Sequence, residues 1–348
     1  MALSIEEEKI LESIVVPSYN HPSKPEFPHY APKFPASKTF QIEVPGFDDV
    51  WLKDESVHRY SGTHKDRLAW EVVILYRDFL MAKKIGRTES ILPQFSMITS
   101  GSAGLAIGRS LRAFGLPKLK VLINKNLKDK LKNALLEGHC EIYPIELDEK
   151  PLTPEQILEK TENTDGFDLT SNQGMSLEIG NYDWMGYEIL NENADFVFIP
   201  FGTGIIFRKV LELSKMEISS FGHQDPRFKG NSKKLQQCSY LGATSYLHDT
   251  KADKLYAPFR PFKLIDGDWV KFYKRAAYCG PFTEILGVEE EFIIEGYKMA
   301  REKGINCEHS GAAGLALLLQ LQDKIPHDKK ILIINTGRLK LDEKEVVV

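Results

Sequence analysis

From Trp51 onward the apolar positions switch repeatedly between strand-like runs and helical spacing. After Lys65, residues Leu68, Ala69, Val72, Val73, Tyr76, Phe79 and Leu80 recur at the spacing of one helix face. Met97-Ile98-Thr99 predicts a short buried strand, and the Ala/Leu/Ile-rich stretch behind it a helix ending near Phe114-Gly115. Lys118 to Asn124 predicts a strand, Lys125 to Glu137 a polar-faced helix closed by Gly138, and Cys140 to Leu147 another strand. This alternation predicts a compact α/β unit with parallel pairing. Further on, the pattern predicts a helix over Tyr182 to Asn191, a buried strand over Asp195 to Pro200 and a helix over Ile205 to Lys215. It also predicts a helix over Val288 to Lys303 stopped by Gly304, an apolar helix opening at Ser310 to Gly314, and a last strand over Lys330 to Asn335. The first fifty residues carry Pro17, Pro22, Pro25, Pro28, Pro32, Pro35 and Pro45, which predict an extended arm on the surface. Lys150 to Asn181 is less regular. Ser219 to Trp269, rich in Gly, Pro, Asp, Ser and Lys, receives no element.

Composition narrows the classes. The chain of 348 residues is 42% hydrophobic and 27% charged, as expected of a soluble globular protein with a sizeable core. A net charge of -4 argues against nucleic acid or an anionic membrane as partner. Cys140, Cys238, Cys279 and Cys307 form no C-x-x-C, so no zinc site or disulfide frame is expected and a cytoplasmic setting is. The glutamate-rich N-terminus does not resemble a signal peptide, and no apolar run is long enough to span a membrane.

Candidate chemistry concentrates at glycine-hinged helix starts. Ser61-Gly62-Thr63-His64-Lys65-Asp66-Arg67 puts Lys65 in the first turn of a helix, where the dipole disfavours a cation. A lysine so placed is expected to have a lowered pKa and to condense with an aldehyde. Turns at Gly101, Gly202 and Gly311 also open helices, and one at Gly337 follows a strand. In an open parallel sheet such turns gather along the ligand-binding edge. Gly202-Thr203-Gly204 suits a phosphate: free N–H groups, a favourable dipole and a hydroxyl. Read by itself it is more simply a tight strand-to-helix turn. It lacks the third glycine of a dinucleotide fingerprint, which disfavours a nicotinamide-dependent oxidoreductase, and the Lys65 segment is not a P-loop.

The ordered segments K-D-E-S, S-G-T-H-K-D-R, T-S-G-S-A-G-L-A, P-F-G-T-G, E-H-S-G-A-A-G-L-A and N-T-G-R-L-K resemble the fold type II pyridoxal-phosphate enzymes, the tryptophan synthase β superfamily. Cysteine synthase, threonine synthase and several ammonia-lyases belong to it. The resemblance covers roughly Trp51 to Lys340, without the Ser219–Trp269 stretch. It implies an α/β fold of two open, twisted, mostly parallel sheets flanked by helices, with the cofactor in the cleft between them. The expected organisation is an N-terminal arm over 1–50, a large cofactor-binding domain over 51–85 and 165–348, and a small α/β domain over 86–164.

By the same resemblance, Lys65 carries pyridoxal 5'-phosphate as an internal aldimine. Asp66 and Arg67 hold the helix start, and Gly202, Thr203, Gly204 and Ile205 cup the phosphate. Thr99, Ser100, Gly101, Ser102 and Ala103 receive the substrate carboxylate. Thr336 meets the pyridine nitrogen, with Ser310 as the competing candidate; Ser310 reads more readily as the N-cap of its helix. Glu308 reads as a carboxylate near the ring or at a strand end, the second being favoured. His64 reads as a packed histidine or a further acid-base group. A hydroxyl at the ring nitrogen favours expelling a β-substituent, so the expected reaction is elimination or replacement at the β (or γ) carbon of a small amino acid, through an aminoacrylate-type intermediate. Family loops usually carry Asn where this chain has Ser102, which raises a non-catalytic or regulatory cofactor-binding protein as the alternative. A homodimer is the family expectation.

Overall fold

The computed structural model describes residues 3–14, 20–21, 24–28, 34–88, 91–147, 152–170, 182–220, 224–256 and 267–341. In chain order the elements are α1 (Ile5–Ser13), β1 (Asn20–His21), β2 (Lys24–Pro28), β3 (Lys38–Gln41), β4 (Asp49–Asp54), α2 (Lys65–Lys84), β5 (Phe95–Ile98), α3 (Ser102–Ala113), β6 (Leu119–Asn124), α4 (Asp129–Glu137), β7 (Cys140–Ile145), α5 (Pro154–Lys160) and β8 (Phe167–Asp168). They continue with α6 (Asp183–Leu190), β9 (Phe196–Pro200), α7 (Ile205–Ser219), α8 (Ser232–Gln237), β10 (Ser239–Thr244), α9 (Gly267–Arg275), β11 (Glu284–Gly287), α10 (Glu290–Glu302), α11 (Ala313–Gln320) and β12 (Lys330–Asn335). The chain divides into two compact units: Met1–Phe34, His58–Asn181 and Leu339–Val348 form the first, and Pro35–Val57 with Tyr182–Arg338 the second. In this division α2 goes with the smaller sheet, whereas the sequence reading grouped 51–85 with the larger one.

The first unit carries a sheet ordered β7-β6-β5-β8, parallel throughout. Its two central strands, β5 and β6, are buried almost throughout, as parallel strands covered on both faces require, while the edge strands β7 and β8 are only partly buried. Val72, Val73 and Tyr76 of α2 pack with Leu105 and Leu111 of α3, Val121 of β6 and Leu135 of α4. Tyr76 satisfies its buried hydroxyl on the Pro93 carbonyl at 2.7 Å. The expected N-terminal arm is corrected at its start. Residues 5–13 are helical because Ser4 and Glu7 form a reciprocal capping box, and Glu7 accepts from Lys83 of α2 at 2.7 Å. In the sequence this signal stands beside the many prolines that follow it. Pro17, Pro22 and Pro32 lie outside the described residues.

The second unit carries a sheet ordered β11-β10-β9-β12-β4-β3, parallel except for the antiparallel edge pair β3–β4. β10 and β12 lie on opposite sides of β9, so the chain reverses its strand order there. Ligands bind beside the carboxyl ends of strands at such a point. The unit's core joins Phe198, Ile331 and Ile333 of the sheet to Leu315, Leu317 and Leu318 of α11. β10 sits centrally in the stretch that the sequence pattern left without an element. Gly242 interrupts its apolar run because a side chain there would press on Phe201 and Phe207 at 3.1–3.3 Å.

Candidate active site

Lys65 opens α2 and is half-buried. No side chain caps this helix at His64; the approach is held from one residue further in. The Asp66 carboxylate accepts from Tyr60 N at 2.6 Å, Ser61 N at 2.8 Å and Ser61 Oγ. Ser61 Oγ also pairs with Thr63 Oγ1 at 2.8 Å, which accepts from Lys65 N at 3.2 Å. Gly62, at φ +71°, makes the bend. Asp66 is 1% exposed, and desolvation pushes its carboxyl above the ordinary range against the pull of its donors and of His58. The turn is fastened again from α3. Arg109 donates to Tyr60 O and Lys340 O at 2.8 Å and to Leu341 O at 2.9 Å, and Lys340 N donates to Ser61 O at 2.9 Å. Arg67 is buried with its guanidinium over the Phe34 ring. Arg109 was not singled out from sequence, because its partners lie 49 and more positions away.

The Thr99–Ala103 loop belongs to the same unit. The Thr99 hydroxyl accepts from Gly101 N at 3.0 Å and Gly104 N at 3.1 Å, so it serves the turn itself. Gly101 stands at φ +128°, and a Cβ there would lie 2.5 Å from the Leu131 side chain. Ser100 is exposed; Ser102 and Ala103 are half-buried and start α3. First-turn N–H groups have no partner within a helix. Thr99 serves Gly101 and Gly104, and Ser102 and Ala103 stand in the first turn, at the dipole-positive end of α3.

The second unit gathers the other candidates at the carboxyl edge of its sheet. Gly202, Thr203 and Gly204 follow β9, and Gly204 is the left-handed N-cap of α7 at φ +84°. That helix start has neither a capping side chain nor an acidic residue in its first turn. Ser310 and Thr336 are buried. Their turns meet so closely that a Cβ on Gly311 would lie 2.5 Å from Gly337 O. Thr336 is framed by Asn335, whose amide donates to Asp54 Oδ1 at 2.8 Å and Asn306 O at 3.1 Å and accepts from Gly337 N at 3.0 Å. Ser310 is not the N-cap of α11, a position held by Ala312; its hydroxyl accepts from Lys254 N at 3.3 Å. Glu308 is occupied by Lys254, whose Nζ lies 2.5 Å from both carboxylate oxygens. Below the edge, Lys53 of β4 is 1% exposed and bonds Glu188 at 2.5 Å, with Glu55 at 3.9 Å. Ser37 in turn donates to Glu55. Among the described residues no cluster suited to a metal ion occurs, and no helix is long and apolar enough to cross a membrane.

Residues 36–337 match the family model of the pyridoxal-phosphate dependent enzymes. The chain belongs to this family. Its cofactor is therefore pyridoxal phosphate, and its two mostly parallel, helix-flanked sheets are those of fold type II. Each unit by itself holds groups of the kinds that cofactor needs: the second an uncapped, acid-free helix start behind Gly204 and the buried hydroxyls of Ser310 and Thr336, the first the half-buried Lys65. Solved structures of this pyridoxal-phosphate enzyme's fold include a cysteine synthase from Entamoeba histolytica, 16% identical, covering 87% of this chain and 85% of that one with a TM-score of 0.61. An O-ureido-L-serine synthase is 17% identical, covering 87% and 89% with a TM-score of 0.60. An O-acetylserine dependent cystathionine β-synthase from Helicobacter pylori is 14% identical, covering 97% and 96% with a TM-score of 0.58. At these identities the likeness is one of fold. No curated protein sequence matches the chain.

Proposed function

We propose that this enzyme catalyses elimination or replacement at the β (or γ) carbon of a small amino acid. One observation carries the reading. The Glu308 carboxylate is bound through both oxygens to Lys254, so the buried groups offered to the ring nitrogen are the hydroxyls of Ser310 and Thr336. Bound pyridoxal phosphate acts as the electron sink for the substrate α-carbon; a hydroxyl does not hold the ring nitrogen protonated as a carboxylate does, which favours loss of a β-substituent. The backbone N–H groups of Gly204 and Ile205, with the Thr203 hydroxyl, bind the phosphate. The N–H groups of Ser102 and Ala103 orient the substrate carboxylate. Lys65 would hold the cofactor aldehyde, and its Nζ would take the α-proton of the bound substrate, its tether supplying the proximity.

A second reading rests on Ser102. A serine at the first position of α3 reaches less far than an amide and offers a single hydroxyl. It favours a protein that retains the cofactor without turnover. The experiment mixes the holoenzyme with L-serine, O-acetylserine, O-phosphohomoserine, L-threonine and diaminopropionate in deuterated water. Spectral change, α-deuteration and keto-acid product with one of them are expected. An unchanged spectrum and no exchange with any would overturn the catalytic reading, and activity gained on Ser102→Asn would locate the defect. The partner is a small amino acid, and a homodimer is the expected assembly.

A further inference from the structure

The stretch before α9 that carries no recognisable motif supplies one side of the cofactor edge. Its turn, Asp253–Leu255, lies where three candidate segments meet. Lys254 O backs Gly202 so closely that a Cβ on the glycine would lie 2.6 Å away. Lys254 N donates to Ser310 Oγ at 3.3 Å. Lys254 Nζ is held by the Glu308 carboxylate, and Glu308 N donates to Gly337 O at 3.2 Å. One residue pair thus ties together the phosphate turn, the serine and the turn after Thr336. The other end of the turn is fastened separately. Thr250 Oγ1 and Lys251 N donate to Glu290 at 2.7 and 2.9 Å, and Thr244 Oγ1 donates to Leu255 O at 3.3 Å.

We infer that the Lys254–Glu308 ion pair is a positioning latch for the cofactor cradle, pressing the Asp253–Leu255 turn against Gly202 and orienting the Ser310 hydroxyl. The Ser310 oxygen accepts from Lys254 N, so its hydrogen is directed away from that bond toward an acceptor such as a pyridine nitrogen. This makes Ser310, ahead of Thr336, the ring-nitrogen partner. The pair works through geometry: Lys254 and Glu308 act on the backbone that supports the cup, and the ion pair itself is three-quarters buried. The inference rests on the cofactor-site reading of Gly202–Ile205 and Ser310.

The experiment titrates pyridoxal phosphate into apoprotein variants and records affinity and the imine absorbance band, with unfolding of the apoprotein as the folding control. Lys254→Met keeps the stem and removes the charge; Glu308→Gln keeps the shape. Each should weaken cofactor binding on the order of 10-fold and shift the band, with apoprotein unfolding little changed. The charge swap Lys254→Glu with Glu308→Lys should recover most of the affinity. Because the latch acts through the serine, Lys254→Met and Ser310→Ala should be strongly non-additive in a double-mutant cycle. Wild-type affinity and band in Lys254→Met, or strict additivity with Ser310→Ala, would overturn the latch. If Lys254→Met does not fold, the Glu308→Gln titration decides alone. Gly204→Ala separates the two readings. If it leaves affinity intact the cofactor site itself is misassigned; if it weakens binding while Lys254→Met does not, only the latch fails.

Discussion

Two helix starts do different work and are built differently. At α2 the group proposed to react is a side chain, that of Lys65, and side chains hold its turn: Asp66, Ser61 and Thr63 fix it, with Arg109 behind them. At α7 the groups proposed to bind are backbone N–H, and the helix start is built by omission, with Gly204 left-handed, no cap and no acid in the first turn. Side-chain chemistry needs a buried scaffold that fixes one lysine. Backbone chemistry needs glycine and an uncluttered dipole. The Thr99–Ala103 loop combines both constructions, since the Thr99 side chain holds the N–H groups of Gly101 and Gly104 at a glycine-opened helix start.

Each side of this contrast can be broken separately. The largest effect is expected from Lys65→Ala, which should lower turnover of the accepted amino acid by about 10³-fold or more, measured as product formation, because it removes the tethered base. Asp66→Ala leaves the donors of Tyr60 and Ser61 without their buried acceptor. At about 1–3 kcal/mol for each unsatisfied group, a loss of roughly 2–4 kcal/mol in denaturant unfolding is expected. Gly204→Ala should cost about 1–2 kcal/mol for a side chain in left-handed backbone, appearing as weakened cofactor binding in an equilibrium titration.

The smallest effect concerns pH. The folded carboxyl of Asp66 is raised by desolvation. Its contribution to stability is therefore complete below the unfolded pKa, about 3.9, and is lost as pH rises through the folded value. Wild type should lose stability relative to Asp66→Asn as pH climbs from about 4; parallel stability curves would contradict this.

Local signals made the lysine side legible. Ser61, Gly62, Thr63, Lys65 and Asp66 are neighbours in sequence, and the helix behind them has clean periodicity. The strands β6, β9 and β12 were legible as continuous apolar runs, as befits parallel strands buried on both faces. β10 was hidden because Gly242, which makes room for two phenylalanines, breaks the pattern its burial would otherwise create. The capping box of α1 was present at Ser4 and Glu7 but overshadowed by the prolines that follow. The Lys254–Glu308 pair joins residues 54 positions apart through a turn with no periodicity, so only tertiary structure reveals it. The Lys53–Glu188 pair, 135 positions apart, was hidden for the same reason.

The central claim is that Lys65 is the residue that carries pyridoxal phosphate. Borohydride reduction of the yellow holoenzyme, followed by proteolysis and mass mapping, tests it directly. Bleaching of the imine band and a reduced phosphopyridoxyl adduct on the peptide containing Lys65 are expected. A label on another lysine, or a colourless protein that takes up no cofactor and no label, would contradict it.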